Sequence, residues 1–338
     1  MKQKVELHTR RWDAFKREKL SLFCFVVLFI LCLISFSAEL WSNDKPLYLK
    51  YQNKSFFPIF KNYQPSDFNS SSDDVYVDYR KLAPKAETVI WPLIQWTPFE
   101  TNNEIARYPS EPTAQNLFGT DDRGRDVLSR LLYGFRYSMG YALLVWITCG
   151  ILAIFFGGLM GYYGGKIDLF GQRIIEILET VPTFMILLIL VSVFQPNLML
   201  LVFISTVFGW MRLSRYVRGE FLRLRKLPFV EFAQAQGVSN LRIIFVHILP
   251  NAMTPIITFS PFMIAGNIAG LSALDYLGFG LQAPTPSWGE LLSQAKANLT
   301  IAWWLAVYPS LFLFMTLIFL TLLGNGLRRA FDPKASGN

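Results

Sequence analysis

Cysteine and histidine are scarce in this sequence, and their positions argue against two kinds of site. The 338 residues include three cysteines and two histidines. Cys24, Cys32 and Cys149 all lie in apolar segments, which is not the pattern of a disulfide framework. His8 and His247 are far apart, and neither belongs to a cluster of cysteines, histidines and carboxylates. We therefore expect no metal ion, no haem and no other cofactor.

Charged residues are also few. They make up 17% of the chain, whereas soluble domains carry about 25%. Hydrophobic residues account for 52% and aromatic residues for 16%, so much of the surface must face lipid. The net charge of +8 is compatible with nucleic-acid binding, but basic residues in a membrane protein more often mark its cytoplasmic loops. We expect a lipid bilayer as a partner and no nucleic acid.

The sequence lacks a nucleotide-binding loop. Such a loop needs a glycine five residues before a Gly-Lys pair and a serine or threonine after it. Around Gly165 and Lys166, Met160 and Ile167 occupy those two places. No arrangement of a nucleophile and a base suggests another active site. We expect a chain that is not an enzyme, with any ATP hydrolysis carried out by a partner chain.

The N-terminal region predicts a membrane anchor. Residues 1–19 are rich in lysine and arginine, and residues 20–38 carry no charge. That length is close to the roughly 20 residues that cross a hydrocarbon core, and the basic flank places residues 1–19 in the cytoplasm. A cleaved signal peptide is the competing interpretation, because residues 35–37 resemble a cleavage site. The apolar stretch is longer than a typical signal-peptide core, which favours a retained anchor.

Residues 39–135 predict a small extracytoplasmic domain. They are polar, aromatic and proline-containing, and charges of both signs are mixed. A long segment of this kind is not bound by the positive-inside rule, and its turn residues favour strands and loops. At its end, Val127, Leu131 and Phe135 share one face, which predicts a separate amphipathic helix at the membrane interface.

The following uncharged segments predict packed membrane helices. Residues 137–165 contain glycines at positions 157, 161 and 165, a spacing that lets another helix approach closely. The next uncharged run, residues 180–211, is too short to hold two spans of about 20 residues each. Each of these helices must therefore extend into charged sequence.

Four charged residues flank that run on the same side of the membrane. Glu176 and Glu179 precede one helix, and Arg212 and Arg215 follow the other. Ionisable groups near hydrocarbon are costly unless they are paired, so we expect at least one of these glutamates to pair with one of these arginines, for example Glu179 with Arg212. Separate contact of each side chain with water is the alternative.

Two more spans complete the prediction, at residues 251–274 and within residues 297–327. The transmembrane core then covers residues 136–327, with a basic cytoplasmic loop at 212–250 and a cytoplasmic tail at 328–338. The predicted fold is an all-α polytopic membrane protein with six transmembrane helices and a small extracytoplasmic insert between the first two. Both termini lie in the cytoplasm.

Within the cytoplasmic loop, residues 229–251 predict a helix–turn–helix that projects into water. Gly237 is the expected end of the first helix, since glycine adopts the left-handed conformation there without steric cost. A second helix starts at about Ser239, with Ser239 or Asn240 as its N-cap.

This segment resembles the EAA loop of ABC importer permeases, by which such a permease docks onto its ATPase. Glu231, Ala233, Gly237, Leu249 and Pro250 stand in register with that motif, and the resemblance assigns ATPase coupling to them. Other segments make the resemblance more specific. They resemble the oligopeptide/dipeptide family and, within that family, the YejE-type permeases of oligopeptide and microcin C importers. They are residues 43–46, 57–58, 61–63, 66–68, 117–126 and 284–289.

The sequence departs from the family pattern at a few positions. Phe232 stands at the second alanine of the loop, and His247 stands where isoleucine is frequent, although peptide permeases commonly have histidine there. Leu271 replaces a frequent glutamate and Asp275 a usual serine. Asp275 is one candidate for the translocation path. Asn267, inside the fifth predicted span, is the other, with an interhelical hydrogen bond as its alternative role.

The resemblance implies a permease subunit that moves oligopeptides or peptide-like compounds, microcin C among them, across the bacterial inner membrane by alternating access. Its implied partners are an ABC ATPase, as one fused double chain or as two chains, a second homologous permease and a periplasmic peptide-binding protein. An ATP-independent channel or a membrane-anchored scaffold is the alternative class, and activity without an ATPase would distinguish it.

Overall fold

The computed structural model describes residues 12–68 and 77–331. Residues 1–11 of the predicted basic N-terminus and 332–338 of the predicted tail lie outside the described residues. The chain forms two compact units, named here the helical unit and the mixed unit. The helical unit comprises residues up to Phe29, Ser138–Gln282 and residues from Leu313, and the mixed unit comprises Ile30–Tyr137 and Ala283–Phe312.

Helices dominate the described residues. In chain order they are α1 (Lys19–Phe36), α2 (Val127–Tyr163), α3 (Gly165–Glu179), α4 (Thr183–Val193), α5 (Leu198–Leu224), α6 (Pro228–Ala235), α7 (Thr254–Tyr276), α8 (Trp288–Ala297) and α9 (Trp303–Ala330). Short α-helical segments lie at Ala38–Trp41, Tyr79–Leu82, Asn240–Arg242 and Leu249–Ala252. Two single 3-10 turns, Pro65–Phe68 and Ala83–Lys85, lie in the mixed unit.

Five of the described helices are long and apolar enough to cross a membrane, namely α1, α2, α5, α7 and α9. The pair α3 and α4 meets the same criterion together, but it is bent by 65°. Counting this pair as one broken span gives six. The predicted fold class, a polytopic α-helical membrane protein, is confirmed.

The bend between α3 and α4 was not predicted from the sequence. Pro182 precedes α4 with an extended backbone, φ −61° and ψ 109°. A proline has no N–H for the helix and pushes the residue before it away from helical geometry, so the break falls at Val181 and Pro182. With 11 residues, α4 is only about 16 Å long and cannot cross a membrane alone.

The helix predicted for residues 127–135 is not a separate element. These residues form the first turns of α2, which continues for 37 residues without a break, so the predicted helix is present as the beginning of a longer one. No helix-breaking residue separates Phe135 from the apolar sequence that follows, and the apolar face continues inward. Leu131 and Phe135 are buried, at 0% and 4% exposure.

Glycines allow α2 and α5 to pack closely in the helical unit. A Cβ on Gly157 would lie 2.5 Å from the Ser214 carbonyl oxygen, and one on Gly161 would lie 2.7 Å from the Arg218 carbonyl oxygen. The predicted close approach is confirmed at these two positions. Gly165 instead starts α3 with a positive φ of 54° and open space around its Cβ position.

The mixed unit contains a three-stranded antiparallel sheet in the order β2-β1-β3. The strands are β1 (Tyr48–Tyr51), β2 (Lys54–Phe56) and β3 (Thr88–Ile90), and Leu49 pairs with Phe56 on one side and Val89 on the other. A largely aromatic core packs against the sheet. Its buried members are Leu49, Phe56, Phe68, Tyr79 and Leu82.

Residues 283–312 belong to the mixed unit in the structure, whereas the predicted domain boundaries place them in the transmembrane core. Trp288 explains this packing. Its ring is fully buried, and its Nε1 donates to the Leu131 carbonyl oxygen at 2.9 Å. Gly134 provides the room, since a Cβ there would lie 2.8 Å from Cδ1 of Trp288.

Candidate functional site

Helix α6 has one buried and one exposed face. Val230 and Ala233, three residues apart, are 0% and 5% exposed and pack in one apolar cluster with Phe221 of α5. Glu231 and Phe232 are exposed on the other face. The helix is therefore fixed to α5 while it presents a charged and an aromatic side chain outward.

Gly237 ends this helix in the predicted manner. Its φ is 74°, in the left-handed region that glycine adopts without a Cβ penalty. The Gly237 N–H donates to the Gln234 carbonyl at 2.9 Å, and the Val238 N–H donates to the Ala233 carbonyl at 3.1 Å. These two bonds form a Schellman motif, so the sequence-based assignment of Gly237 as the turn residue is confirmed.

The predicted second helix also starts at Ser239, which has an extended backbone as N-cap although its side chain makes no capping bond. The short helix Asn240–Arg242 leads into a π-helical turn, Ile243–Ile248, and then into Leu249–Ala252. Tyr162 of α2 donates from its hydroxyl to Oδ1 of Asn240 at 2.7 Å. This bond ties the start of the segment to the transmembrane helices.

Leu249 and Pro250 lie where the π-helical turn ends. Pro250 has no N–H, so the usual bond to the carbonyl four residues earlier cannot form. One residue earlier, the Leu249 N–H donates to the Ile244 carbonyl, five residues back, which is the π-helical pattern. Leu249 is half-buried and Pro250 is exposed, which makes Leu249 an anchor of the segment and Pro250 part of its outer surface.

Large apolar side chains are exposed along this segment. They are Phe229, Phe232, Leu241, Phe245 and Val246, and they define what we call the docking face. Phe232 and Leu241 are about two-thirds exposed, at 65% and 66%. Exposed apolar side chains in such number are typical of a protein-interaction surface.

A cavity of about 690 Å³ lies in the helical unit, next to the other predicted site. It is lined by Glu179, Val181, Pro182, Thr183, Phe208, Gly209, Met211, Arg212, Leu213, Arg215, Tyr216, Phe259, Phe262, Met263, Gly266 and Asn267. Asn267 also donates from Nδ2 to the Ala142 carbonyl at 3.3 Å. Asn267 therefore makes the interhelical hydrogen bond given as its alternative role and also lines the cavity, while its place on a translocation path stays a prediction.

An ion pair between the two charged helix ends is present, as predicted. The arginine involved differs from the one named in the sequence analysis. Glu179 contacts Arg215, not Arg212. Glu176 pairs with Arg173 of its own helix at 2.7 Å. The expectation that one of the glutamates would pair with one of the arginines is confirmed.

Asp275, the second residue predicted for the translocation path, is 7% exposed. Its Oδ1 accepts a hydrogen bond from the Leu281 N–H at 2.7 Å. A Cβ on Gly280 would collide with the same oxygen, so the carboxylate lies tightly against the turn after α7. The residues that line the 690 Å³ cavity do not include Asp275, and its place on a translocation path stays a prediction.

A buried ion network in the mixed unit was missed by sequence reasoning. Arg125 donates from Nε to Asp121 Oδ2 at 2.7 Å and from Nη2 to Glu290 Oε1 at 3.1 Å. Arg130, which is fully buried, also contacts the Glu290 carboxylate and donates from Nη1 to the Pro98 carbonyl at 2.9 Å. The network joins the residues before and at the start of α2 to α8.

Asp126 lies beside this network and caps α2. Its Oδ1 accepts from the Ser129 N–H at 2.7 Å, and its Oδ2 accepts from Asn116 Nδ2 at 2.9 Å. Burial raises the pKa of Asp126 to about 6, against the opposing effect of the Asn116 hydrogen bond. A signal for this region existed in the sequence, since Arg130 stands one turn inside an apolar helix and a charge there needs a buried partner.

Comparison with known proteins identifies the protein family of this chain. Residues 153–337, more than half of the chain, match the family model described as "Binding-protein-dependent transport system inner membrane component". The chain belongs to this family. This permease is therefore a multi-pass inner-membrane transport subunit of an ABC system and not itself the ATPase.

Individual relatives extend the match beyond the family model. The permease is 43% identical to the inner membrane ABC transporter permease protein YejE of Escherichia coli K12, with 96% of both chains covered. It is 34% identical to the peptidoglycan transport system permease protein YejE of Agrobacterium fabrum, over 96% of this chain and 92% of that one. It is 38% identical to the oligopeptide transport system permease protein OppC of Haemophilus influenzae, over 65% and 70%.

Proposed function

We propose that this permease imports oligopeptides or peptide-like compounds by alternating access, driven by a separate ATPase. The observation that carries the mechanism is the position of α5. Phe221 and Leu224 of this helix pack with Val230 of α6, while residues from Phe208 to Tyr216 of the same helix line the cavity. A movement of α6 must therefore displace a wall of the cavity, because a helix and its packed core move as one body.

The ATPase would bind the docking face and the exposed side of α6. Glu231 supplies a charge there and Phe232 an apolar contact, whereas Ala233 packs inward and Gly237 shapes the turn. Leu249 anchors its segment by packing inward, and Pro250 adds to the exposed surface. ATP-driven closure of the ATPase would then reach the cavity through α6 and α5.

The charge distribution supports a particular orientation of the permease in the membrane. Arg212, Arg215, Arg223, Arg225 and Lys226 cluster at the C-terminal part of α5 and just beyond it, and an excess of basic residues marks the cytoplasmic side. The proposed orientation has the docking face and both termini in the cytoplasm. Residues 39–135 would then lie on the periplasmic side, where a binding protein would deliver the substrate.

The names of the relatives support the proposed substrate class. One carries oligopeptide transport in its name and another peptidoglycan transport, so a peptide or peptide-like compound, microcin C among the candidates, is the proposed cargo. The full complex would add a second homologous permease, a periplasmic peptide-binding protein and an ATPase of one fused chain or two.

Co-purification in mild detergent tests the proposal. The wild-type permease should bring down an ATPase and a second permease. Gly237→Val should lose the ATPase and keep the second permease, because valine is strained at a φ of 74°. Gly237→Asn should keep part of the binding, since asparagine tolerates this conformation.

Gly219→Val is the matched control. Gly219 lies in α5 with no atom within 4 Å of its Cβ position and without a positive φ, so the same substitution should leave the ATPase bound. Recovery of wild-type permease without any ATPase, from cells that contain one, would contradict the proposal and favour an ATP-independent channel or a scaffold.

A further inference from the structure

Three charged side chains face the 690 Å³ cavity, and their charges do not cancel. They are Glu179, Arg212 and Arg215. Arg215 pairs with Glu179, which neutralises that end of the cavity. Arg212 is exposed and has no salt-bridge partner within residues 12–68 and 77–331. The cavity therefore has one uncompensated positive charge.

The remaining cavity wall is uncharged and rich in aromatic rings. Tyr216 and Phe259 face each other with ring centroids 4.5 Å apart, and Phe208, Phe262 and Met263 add further apolar surface. Asn267 contributes an amide. This combination suits a ligand with one anionic group and apolar side chains.

We propose that Arg212 binds the carboxylate of the transported peptide, chiefly its C-terminal carboxylate, while the aromatic wall contacts its side chains. This inference rests on the proposed peptide-import function. A guanidinium forms two parallel hydrogen bonds to a carboxylate. The interaction is stronger beside an apolar wall than in bulk water.

The chemistry of peptides explains why a single fixed cation is useful. Every linear peptide has one C-terminal carboxylate, whatever its sequence, so Arg212 serves many peptides without selecting among side chains. The N-terminal ammonium carries the same sign as the cavity and is repelled from it. An acidic side chain offers the same carboxylate chemistry, and the test has to separate these two sources.

Uptake by the complete complex in proteoliposomes tests the proposal with three forms of one apolar tripeptide. They are the free acid, the C-terminal amide, and the amide with one apolar residue replaced by glutamate. Arg212→Gln should lower uptake of the free acid about tenfold, the typical value of a charged hydrogen-bonded pair. It should leave the plain amide nearly unchanged. Arg212→Lys should fall between, since lysine keeps the charge but not the two-point geometry.

Arg173→Gln is the matched control, because Arg173 is an exposed arginine in an ion pair and does not line the cavity. It should affect all three peptides equally little. If Arg212→Gln lowers uptake of the glutamate-containing amide more than that of the free acid, side-chain carboxylates are the ligand and the assignment to the C-terminus is overturned.

Two further outcomes separate failure of this inference from failure of the proposed function. If the wild-type complex imports none of the peptides, peptide import itself is wrong. If it imports them and Arg212→Gln leaves the ratio of acid to amide uptake unchanged, only the carboxylate site is refuted. Loss of the second permease from purified Arg212→Gln complex would place Arg212 in a subunit interface and overturn the inference as well.

Discussion

Arg218 of α5 and Asp168 of α3 form a two-point ion pair, in which Nη2 lies 2.6 Å from Oδ2 and Nε contacts Oδ1. The side chains are only 28% and 16% exposed. Asp168 also lies in the first turn of α3, where a negative charge is favoured by the helix dipole. The pair holds α3 against α5 just after the turn that leaves α2.

Asp168→Asn should destabilise the permease by about 1–3 kcal/mol, because Arg218 then keeps a partly buried charge without its carboxylate. Thermal unfolding in detergent measures this loss. Glu176→Gln removes a carboxylate from the same helix whose ion pair is exposed, and it should cost less than about 1 kcal/mol. Equal effects of the two substitutions would contradict the importance of the Asp168 pair.

The cavity pair Glu179 and Arg215 predicts a charge-swap result. Arg215→Glu should reduce uptake, since it places two carboxylates side by side. The double substitution Glu179→Arg with Arg215→Glu should restore part of it. The double substitution Glu176→Arg with Arg215→Glu serves as control and should not, because Glu176 pairs with Arg173 and Glu179 is the partner of Arg215. Rescue by the second double variant alone would refute the observed pairing.

Alanine substitutions at Gly134 and at Gly140 of α2 should have opposite effects on stability. Gly134→Ala should destabilise by about 1–3 kcal/mol because its Cβ would overlap the rigid Trp288 ring. Gly140 has open space around its Cβ position, so Gly140→Ala should stabilise by up to about 1 kcal/mol through helix propensity. Unfolding midpoints of the two variants compare these directly, and a stabilised Gly134→Ala would contradict the packing.

Asp126 predicts a pH dependence of stability. Because the folded pKa is raised from 3.8 to about 6, the folded state holds the proton more tightly than the unfolded state between these values. Stability should therefore fall as pH rises from about 4 to 6, by roughly 3 kcal/mol in total, and then level off. Unfolding midpoints across this range give the slope.

Asp126→Asn should remove this slope, although it also weakens the hydrogen bond from Asn116. Asp13→Asn, at an exposed aspartate of the helical unit, is the control and should leave the slope in place. A wild-type stability that increases between pH 4 and 6 would show that another group dominates.

Local sequence was sufficient for several features. Uncharged runs located the spans, and Gly237 was recognised because a glycine between two helical patterns has few other roles. The pairing of a glutamate with an arginine followed from the cost of charge near lipid. These inferences rely on neighbouring residues or on a property of the bilayer, and they need no knowledge of which segments meet.

Features that depend on tertiary contacts could not be predicted from the sequence. Arg130 and Glu290 are 160 positions apart, and nothing in either segment indicates the other. The continuation of α2 through Phe135 depends on burial against other parts of the mixed unit. The choice of Arg215 over Arg212 depends on how α3 and α5 pack against each other.

We expect the close contact between α2 and α5 to serve as a pivot for α5. Gly157 and Gly161 let α2 touch α5 at Ser214 and Arg218, between the end of α5 that packs on α6 and Phe208 in the cavity wall. A tilt about this point moves the two ends of α5 in opposite directions. At 1.5 Å per residue, a tilt of about 10° moves Phe208 by roughly 2–3 Å. A larger residue at either glycine would shift the point about which α5 tilts. The displacement of Phe208 in the cavity wall would then change, while the docking face would stay the same.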